Sequence, residues 1–314
     1  MTSTSAPPAQ SRPKRRPGDR VFAGSATGAG VLILLVLAGV AAFLISEAWP
    51  AVTAPAADLP GGESLGSYIA PLVFGTLMAA VIALVVATPL AVAIALFITH
   101  YAPRRLAAGL GYAVDLLAAV PSVVYGFWGI AALAPALVPF YGWAERNLGF
   151  IPLFAGPAST TGKTMLTAGL VLAVMILPII SAISREVFTQ VPALHQEAAL
   201  ALGATRWEMI RMAVLPYGRS GVIAGAMLGL GRALGETLAV AIALSGSGGI
   251  TANLISSSNP STIAANIALQ FPEQTGLGVN ELIATGLVLF LITLAVNMLA
   301  RWVVTRRADF SGAN

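Results

Sequence analysis

Six runs of this chain are apolar over the length of a lipid bilayer, and nothing else constrains its fold as strongly. A spanning helix needs about 20 predominantly apolar residues, because the hydrocarbon core is roughly 30 Å thick and offers the backbone no partners. The runs are 31–49, 69–98, 106–139, 165–184, 221–244 and 281–304, with Pro89, Pro121 and Pro178 inside the second, third and fourth. The second and third are longer than a span requires, so tilt, a proline kink or extension beyond the lipid must absorb the excess. The expected fold class is an all-α polytopic membrane protein with six transmembrane helices. Composition agrees: only 10% of the 314 residues are charged, against about 25% in soluble domains. A mean hydropathy of +0.84 leaves too little polar surface to cover a soluble globule. A soluble enzyme and a nucleic-acid-binding domain are both disfavoured. With no cysteine, neither a disulfide framework nor a Cys-ligated metal site is available. His100 and His195 stand far apart and make no metal-ligand spacing.

The charges set the expected orientation. With the N-terminus inside, the inner segments hold fourteen of the 17 basic residues: five in the tail up to Arg20, then Arg104 and Arg105, then Arg185, Arg206, Arg211 and Arg219, and finally Arg301, Arg306 and Arg307. The outer segments hold Arg146 and Lys163, and Arg232 lies inside the fifth run. This bias follows the positive-inside rule and predicts both termini to be cytoplasmic. Residues 1–28 read as a disordered basic tail, with Ser, Pro and Arg in place of anything to bury. Residues 29–68 read as an uncleaved first helix and an outer loop. Residues 69–304 read as the main transmembrane domain, with a long cytoplasmic loop at 185–219, and 305–314 as a cytoplasmic tail. The outer connections 50–66, 141–164 and 246–280 are rich in Gly, Pro, Ser and Asn, as short loops are.

One nucleotide-binding lookalike fails on chemistry. Gly156 to Thr164 resembles a phosphate-binding loop, but five residues separate its glycines where four are needed. Pro157 also removes an N–H donor, and the segment is expected outside. The loop at 185–219 is more informative. It carries Glu197-Ala198-Ala199, Gly203, and Leu215-Pro216 twelve residues beyond that glycine. By itself this describes an amphipathic helical hairpin, with Gly203 ending one helix and another beginning at Thr205. The fifth run reads Gly221, Gly225, Gly229, Gly231, Arg232, Gly235, Glu236, Thr237. Glycines every four residues make a face that another helix can approach closely. A cation near the bilayer centre costs at least about 2.5 kcal/mol on insertion scales, so intramembrane ionisable residues are candidates for function. A guanidinium forks its donors toward a tetrahedral oxyanion. Arg232 and Glu236 are four apart, so they share a face and can pair while the site is empty. In the third run, Pro121 frees a backbone carbonyl that Ser122 or Tyr125 either satisfies or leaves beside a path. Asp115 reads as an interfacial residue.

Taken together, these segments resemble the phosphate ABC-importer permeases of the PstC type over about residues 69–304. The likeness rests on Ala119-Val-Pro-Ser-Val-Val-Tyr125-Gly126-Phe-Trp128-Gly129, Ile176-Leu-Pro178-Ile-Ile, the Glu197 loop, and Leu228-Gly-Leu-Gly231-Arg232-Ala-Leu-Gly235-Glu236-Thr237. The loop departs from the family only in Ala213, where isoleucine is usual. The sister subunit PstA carries a similar Arg-Ala-x-Gly-Glu-Thr run and is the nearest alternative. The resemblance implies a six-helix type I ABC importer permease in the bacterial cytoplasmic membrane, a translocation subunit without enzymatic activity of its own. It implies that Arg232, Glu236 and Thr237 serve phosphate passage, with Ser122 and Tyr125 as possible path-lining residues. It implies that Glu197, Ala198, Ala199, Gly203, Leu215 and Pro216 couple the chain to an ATPase. The implied partners are a PstA-like permease, two ATPase subunits and an extracytoplasmic phosphate-binding protein. ATP and Mg would be used by the ATPase, and no cofactor by this chain. A permease for sulfate or molybdate should lack the Arg232–Glu236 segment. An intramembrane enzyme would need a nucleophile, base or metal that the two histidines do not supply. A secondary transporter would leave the Glu197 loop unexplained.

Overall fold

The computed structural model describes residues 17–246 and 249–308, and among these the chain is helical with no sheet, only an isolated bridge between Gly246 and Asn259. The order is α1 (Pro17–Thr53), α2 (Leu65–Tyr101), α3 (Arg104–Ala118), α4 (Ser122–Leu148), α5 (Met165–Thr189), α6 (Ala193–Ala201), α7 (Arg206–Leu234), α8 (Leu238–Ala243), α9 (Ile263–Gln270) and α10 (Leu277–Ala308). Six of these, α1, α2, α4, α5, α7 and α10, contain stretches long and apolar enough to cross a membrane. Wide π-helical turns occur at Phe97–Tyr101, Gly129–Leu133 and Ile210–Val214. Each ends two residues before a proline: Pro103, Pro135 and Pro216. A proline lacks the N–H that would close the ladder, and its ring crowds the carbonyl four residues back, so the turn before it widens.

The structure corrects four sequence expectations. The third apolar run is not one kinked span: it divides at residues 119–121 into α3, mostly exposed, and the true span α4. Pro121 cannot donate to the ladder, and it adopts an extended ψ of 141° at the start of α4, so the chain breaks there. The fifth span is displaced toward the N-terminus. It begins at Thr205, whose side chain and that of Glu208 form a reciprocal capping box, and it stops at Leu234, with Gly235 at its end. The second half of the 185–219 loop is therefore the start of a spanning helix. Residues 17–28 are helical rather than a disordered tail, and the final helix runs to Ala308, into the segment read as a C-terminal tail. Residues 1–16 and 309–314 of the expected tails lie outside the described residues.

Close packing is built from small residues against branched ones. Ala79, Ala83, Ala87, Ala91 and Ala95 recur every four residues along α2 and are all buried. They let α2 lie close against α5, whose Ala168, Leu172, Met175, Ile176 and Ile180 belong to the same core. The glycine face of α7 does the same against α5. A Cβ at Gly218 or Gly221 would meet Phe188 or Val187, at Gly225 it would meet Ile183, and at Gly229 it would meet Ile180 and Ile176. The periodic glycines thus receive mainly side chains of α5. Helix α1 packs on α10 near Ala48 and Ala51, where Asn280 Nδ2 donates to the Glu47 carbonyl at 2.7 Å.

Candidate functional site

Arg232 sits in the last turn of α7. Two residues on, the helix ends, and Glu236 and Thr237 occupy the linker to α8. The Glu236 carboxylate accepts the Ala239 N–H at 3.2 Å, which places its charge at the start of α8, where free N–H groups favour an anion. The expected Arg232–Glu236 ion pair is absent among the described residues. The physical reason is the helix end at Leu234: the four-residue spacing that would align the two side chains presupposes a continuous helix. Arg232 makes no hydrogen bond or ion pair among the described residues. It is half-buried, as are Glu236 and Thr237.

A second break faces the first. Helix α8 packs on the start of α4, where a Cβ on Gly126 would lie 3.0 Å from the Ala239 Cα. Tyr125, the residue before Gly126, is buried. Its hydroxyl donates to the Leu117 carbonyl at 2.6 Å, the carbonyl that Pro121 leaves without its helical partner. Val120 N–H shares the same acceptor at 3.2 Å. Tyr125 thus satisfies the freed carbonyl. Ser122 lies half-buried one turn earlier on α4.

The hairpin residues gather at the other end of α7. Helix α6 stops at Ala201, and Gly203 turns the chain at a φ of +87°, a left-handed conformation that glycine adopts without strain. Glu197, Ala198 and Pro216 are exposed. Ala199 and Leu215 instead pack on this chain's own cluster of Leu96, Phe188, Met209, Ile210 and Val214, so they set the hairpin's shape from within. Leu194, Leu202 and Trp207 remain exposed, Leu202 by 90%.

Sequence reasoning missed the Arg185–Asp115 ion pair, which joins α5 to α3 at 2.5 Å. The two residues are 70 positions apart, and no local pattern connects them.

Comparison with known proteins agrees with this architecture. Residues 87–309 match the family described as binding-protein-dependent transport system inner membrane component. The chain is 47% identical over 302 residues to the phosphate transport system permease protein PstC 2 of Mycobacterium tuberculosis, covering 92% of each. It is 44% identical to the phosphate transport system permease protein PstC of Mycobacterium leprae, covering 90% of this chain and 92% of that one. It is 38% identical to the PstC of Mesorhizobium japonicum, covering 94% of this chain and 92% of that one. In fold it is similar to a chain of the MetNI methionine ABC transporter solved in inward-facing conformations, with a TM-score of 0.51 at 15% identity, covering 77% of this chain and 95% of that one. Six spans in a family of inner-membrane transport components make this a multi-pass protein of the bacterial plasma membrane. The chain belongs to the PstC family of phosphate transport system permeases.

Proposed function

We propose that this chain forms part of the phosphate pathway of an ATP-driven importer, with Arg232 as the residue that meets the anion. The observation that carries this is a guanidinium in a membrane-spanning segment with neither hydrogen-bond nor ionic partner among the described residues. Keeping a charge at membrane depth costs about 2.5–3.5 kcal/mol or more, and a cation left unpaired is matched to an anion that arrives. Glu236, held by the Ala239 N–H, and Thr237 stand beside it. Tyr125 lends its ring to the same wall.

Both termini are cytoplasmic in this proposal, as the fourteen inner basic residues suggest. The α6–Gly203–α7 hairpin then faces the cytoplasm. Its exposed Glu197, Ala198, Leu194 and Leu202 offer a mixed polar and apolar ridge for an ATPase subunit. ATP and Mg are bound and used there, not by this chain. A PstA-like permease completes the pathway, two ATPase copies drive it, and an extracytoplasmic phosphate-binding protein delivers the anion.

The test is uptake of labelled phosphate into vesicles holding all four kinds of subunit, with sulfate and molybdate as competitors. Phosphate should enter with ATP, and neither competitor should slow it. Arg232→Ala and Arg232→Gln should abolish uptake while leaving assembly intact. Normal uptake by either variant, or inhibition by sulfate, would refute the assignment.

A further inference from the structure

Helix α3 is weakly held. Its one buried residue is Gly111. A cavity of about 530 Å³ opens between it and the ends of α2 and α5, lined in part by Thr99, Ala107, Ala182 and Arg185. What fixes α3 to α5 is the guanidinium of Arg185. It lies against the backbone at Gly111, where a Cβ would collide with it, and it donates to Asp115 at 2.5 Å. The Arg185 side chain is 18% exposed and that of Asp115 is 55% exposed. The Arg185 Nε is buried without a partner, so the orientation of this side chain rests on Asp115.

Both ends of this tie lead somewhere. Two residues beyond Asp115, the Leu117 carbonyl accepts the Tyr125 hydroxyl, and Gly126, the residue after Tyr125, packs on Ala239 of α8. Four residues beyond Arg185, α5 ends, and four residues later the hairpin helix α6 begins. A short path of contacts and chain segments therefore runs from the hairpin toward the cationic site: the end of α5, Arg185, Asp115, Leu117 and Tyr125, whose neighbour Gly126 packs on α8 just beyond Glu236. The glycine-lined α5–α7 interface is a separate route on another face of α5.

We infer that Asp115 and Arg185 are positioning residues: their ion pair sets α3 against α5 and so places the start of α4, with Tyr125, against α8 according to the state of the hairpin. They touch no substrate. The pair is one contact in a six-helix bundle, and exchanging its charges tests whether an effect of neutralising it comes from the pair itself. The inference builds on the phosphate proposal for one of its readouts only.

The experiment uses the assembled transporter in vesicles and the fact that this chain has no cysteine. Ser122→Cys, one turn from Tyr125, reports the local structure through its rate of modification by a charged thiol reagent. Asp115→Asn or Arg185→Gln in that background should change the rate by about fivefold or more between the ATP-bound and ATP-free states, the scale of a coupling between sites. The same variants without the reporter should lower the phosphate moved per ATP hydrolysed. Exchanging the charges, with Asp115→Arg and Arg185→Asp together, should restore both readouts. Tyr125→Phe, which cuts the next link, should reproduce the labelling change. Unchanged labelling in both neutralised variants would overturn the inference, and so would a charge exchange that assembles but restores neither readout. A parent transporter that moves no phosphate yet shows the labelling change would refute the substrate and support the link.

Discussion

The glycine face of α7 makes a graded prediction, because the space at each position differs. An alanine in mid-helix is favoured over glycine by about 1 kcal/mol where nothing opposes it. At Gly231 a Cβ would find nothing within 4 Å, so Gly231→Ala should stabilise by about that amount. At Gly225 the Cβ would lie 3.2 Å from the Ile183 Cβ and 3.5 Å from the Ile180 carbonyl oxygen. Those neighbours must yield a few tenths of an ångström, which offsets the helix gain and leaves the variant near the parent. At Gly221 the Cβ would lie 2.9 Å from both the Cβ and Cγ1 of Val187. Rotating Val187 cannot relieve this, because its Cβ is fixed to the α5 backbone, so α5 and α7 must separate. Overpacking costs about 1–3 kcal/mol, so Gly221→Ala should be net destabilising by about 1–2 kcal/mol after the helix gain. The assay is equilibrium unfolding in mixed detergent micelles followed by tryptophan fluorescence. The order should be Gly231→Ala most stable, then the parent with Gly225→Ala, then Gly221→Ala. Adding Val187→Ala to Gly221→Ala should recover part of the loss by removing both γ-methyls. Equal shifts for Gly221→Ala and Gly231→Ala would refute close α5–α7 packing as the reason for these glycines.

Three further outcomes follow from single contacts. Tyr125→Phe removes the 2.6 Å donation to Leu117 while Val120 N–H remains, a loss of about 1 kcal/mol. Labelled phosphate uptake should fall severalfold without vanishing, and unchanged uptake would remove Tyr125 from the site. Gly203→Ala forces a side chain into a φ of +87° at about 1–2 kcal/mol, so ATP hydrolysis stimulated by the binding protein should drop. Gly203→Asn should drop less, and equal activity of all three would show that the turn is not needed for coupling. Asn280→Ala cuts the 2.7 Å bond from α10 to Glu47 on α1, and stability should fall by about 1 kcal/mol or less with uptake intact. Lost uptake would give α1 a direct part in transport.

What the sequence disclosed and what it hid separate along a physical line. Span existence was legible, because lipid enforces a long apolar run for every crossing. The Gly203–Thr205 turn was legible too, since left-handed backbone and N-capping are local chemistry. The ends of the spans were not. Leu106, Leu116 and Leu117 continue the apolar signal up to Pro121, so a broken chain reads as a long kinked helix. Leu238 to Ala243 resume it after Gly235, which hid the end of α7 and made Arg232 and Glu236 look like neighbours on one face. The periodic glycines announced a close contact without naming α5 as the partner, and Asp115–Arg185 depends on a fold that brings together positions 70 apart.

The two hidden breaks explain the site better than either helix does. Irregular backbone at membrane depth survives only where protein or a polar cavity supplies the missing partners. At the α3–α4 break, the Leu117 carbonyl is satisfied twice, by Val120 N–H and by the Tyr125 hydroxyl. At the α7–α8 break, the Glu236 N–H reaches the Ala233 carbonyl at 3.4 Å, and the Glu236 carboxylate takes the Ala239 N–H. Gly126 lets α8 lie against α4, so the breaks close on each other. A guanidinium carries five N–H donors, and here none of them has a partner among the described residues. If the cation served only to hold helices together, the same accounting would give it a carboxylate, as it gives Arg185 its Asp115. Glu236 is close by in sequence and is directed elsewhere. These bonds satisfy named backbone groups at each break and leave Arg232, half-buried, without a partner among the described residues.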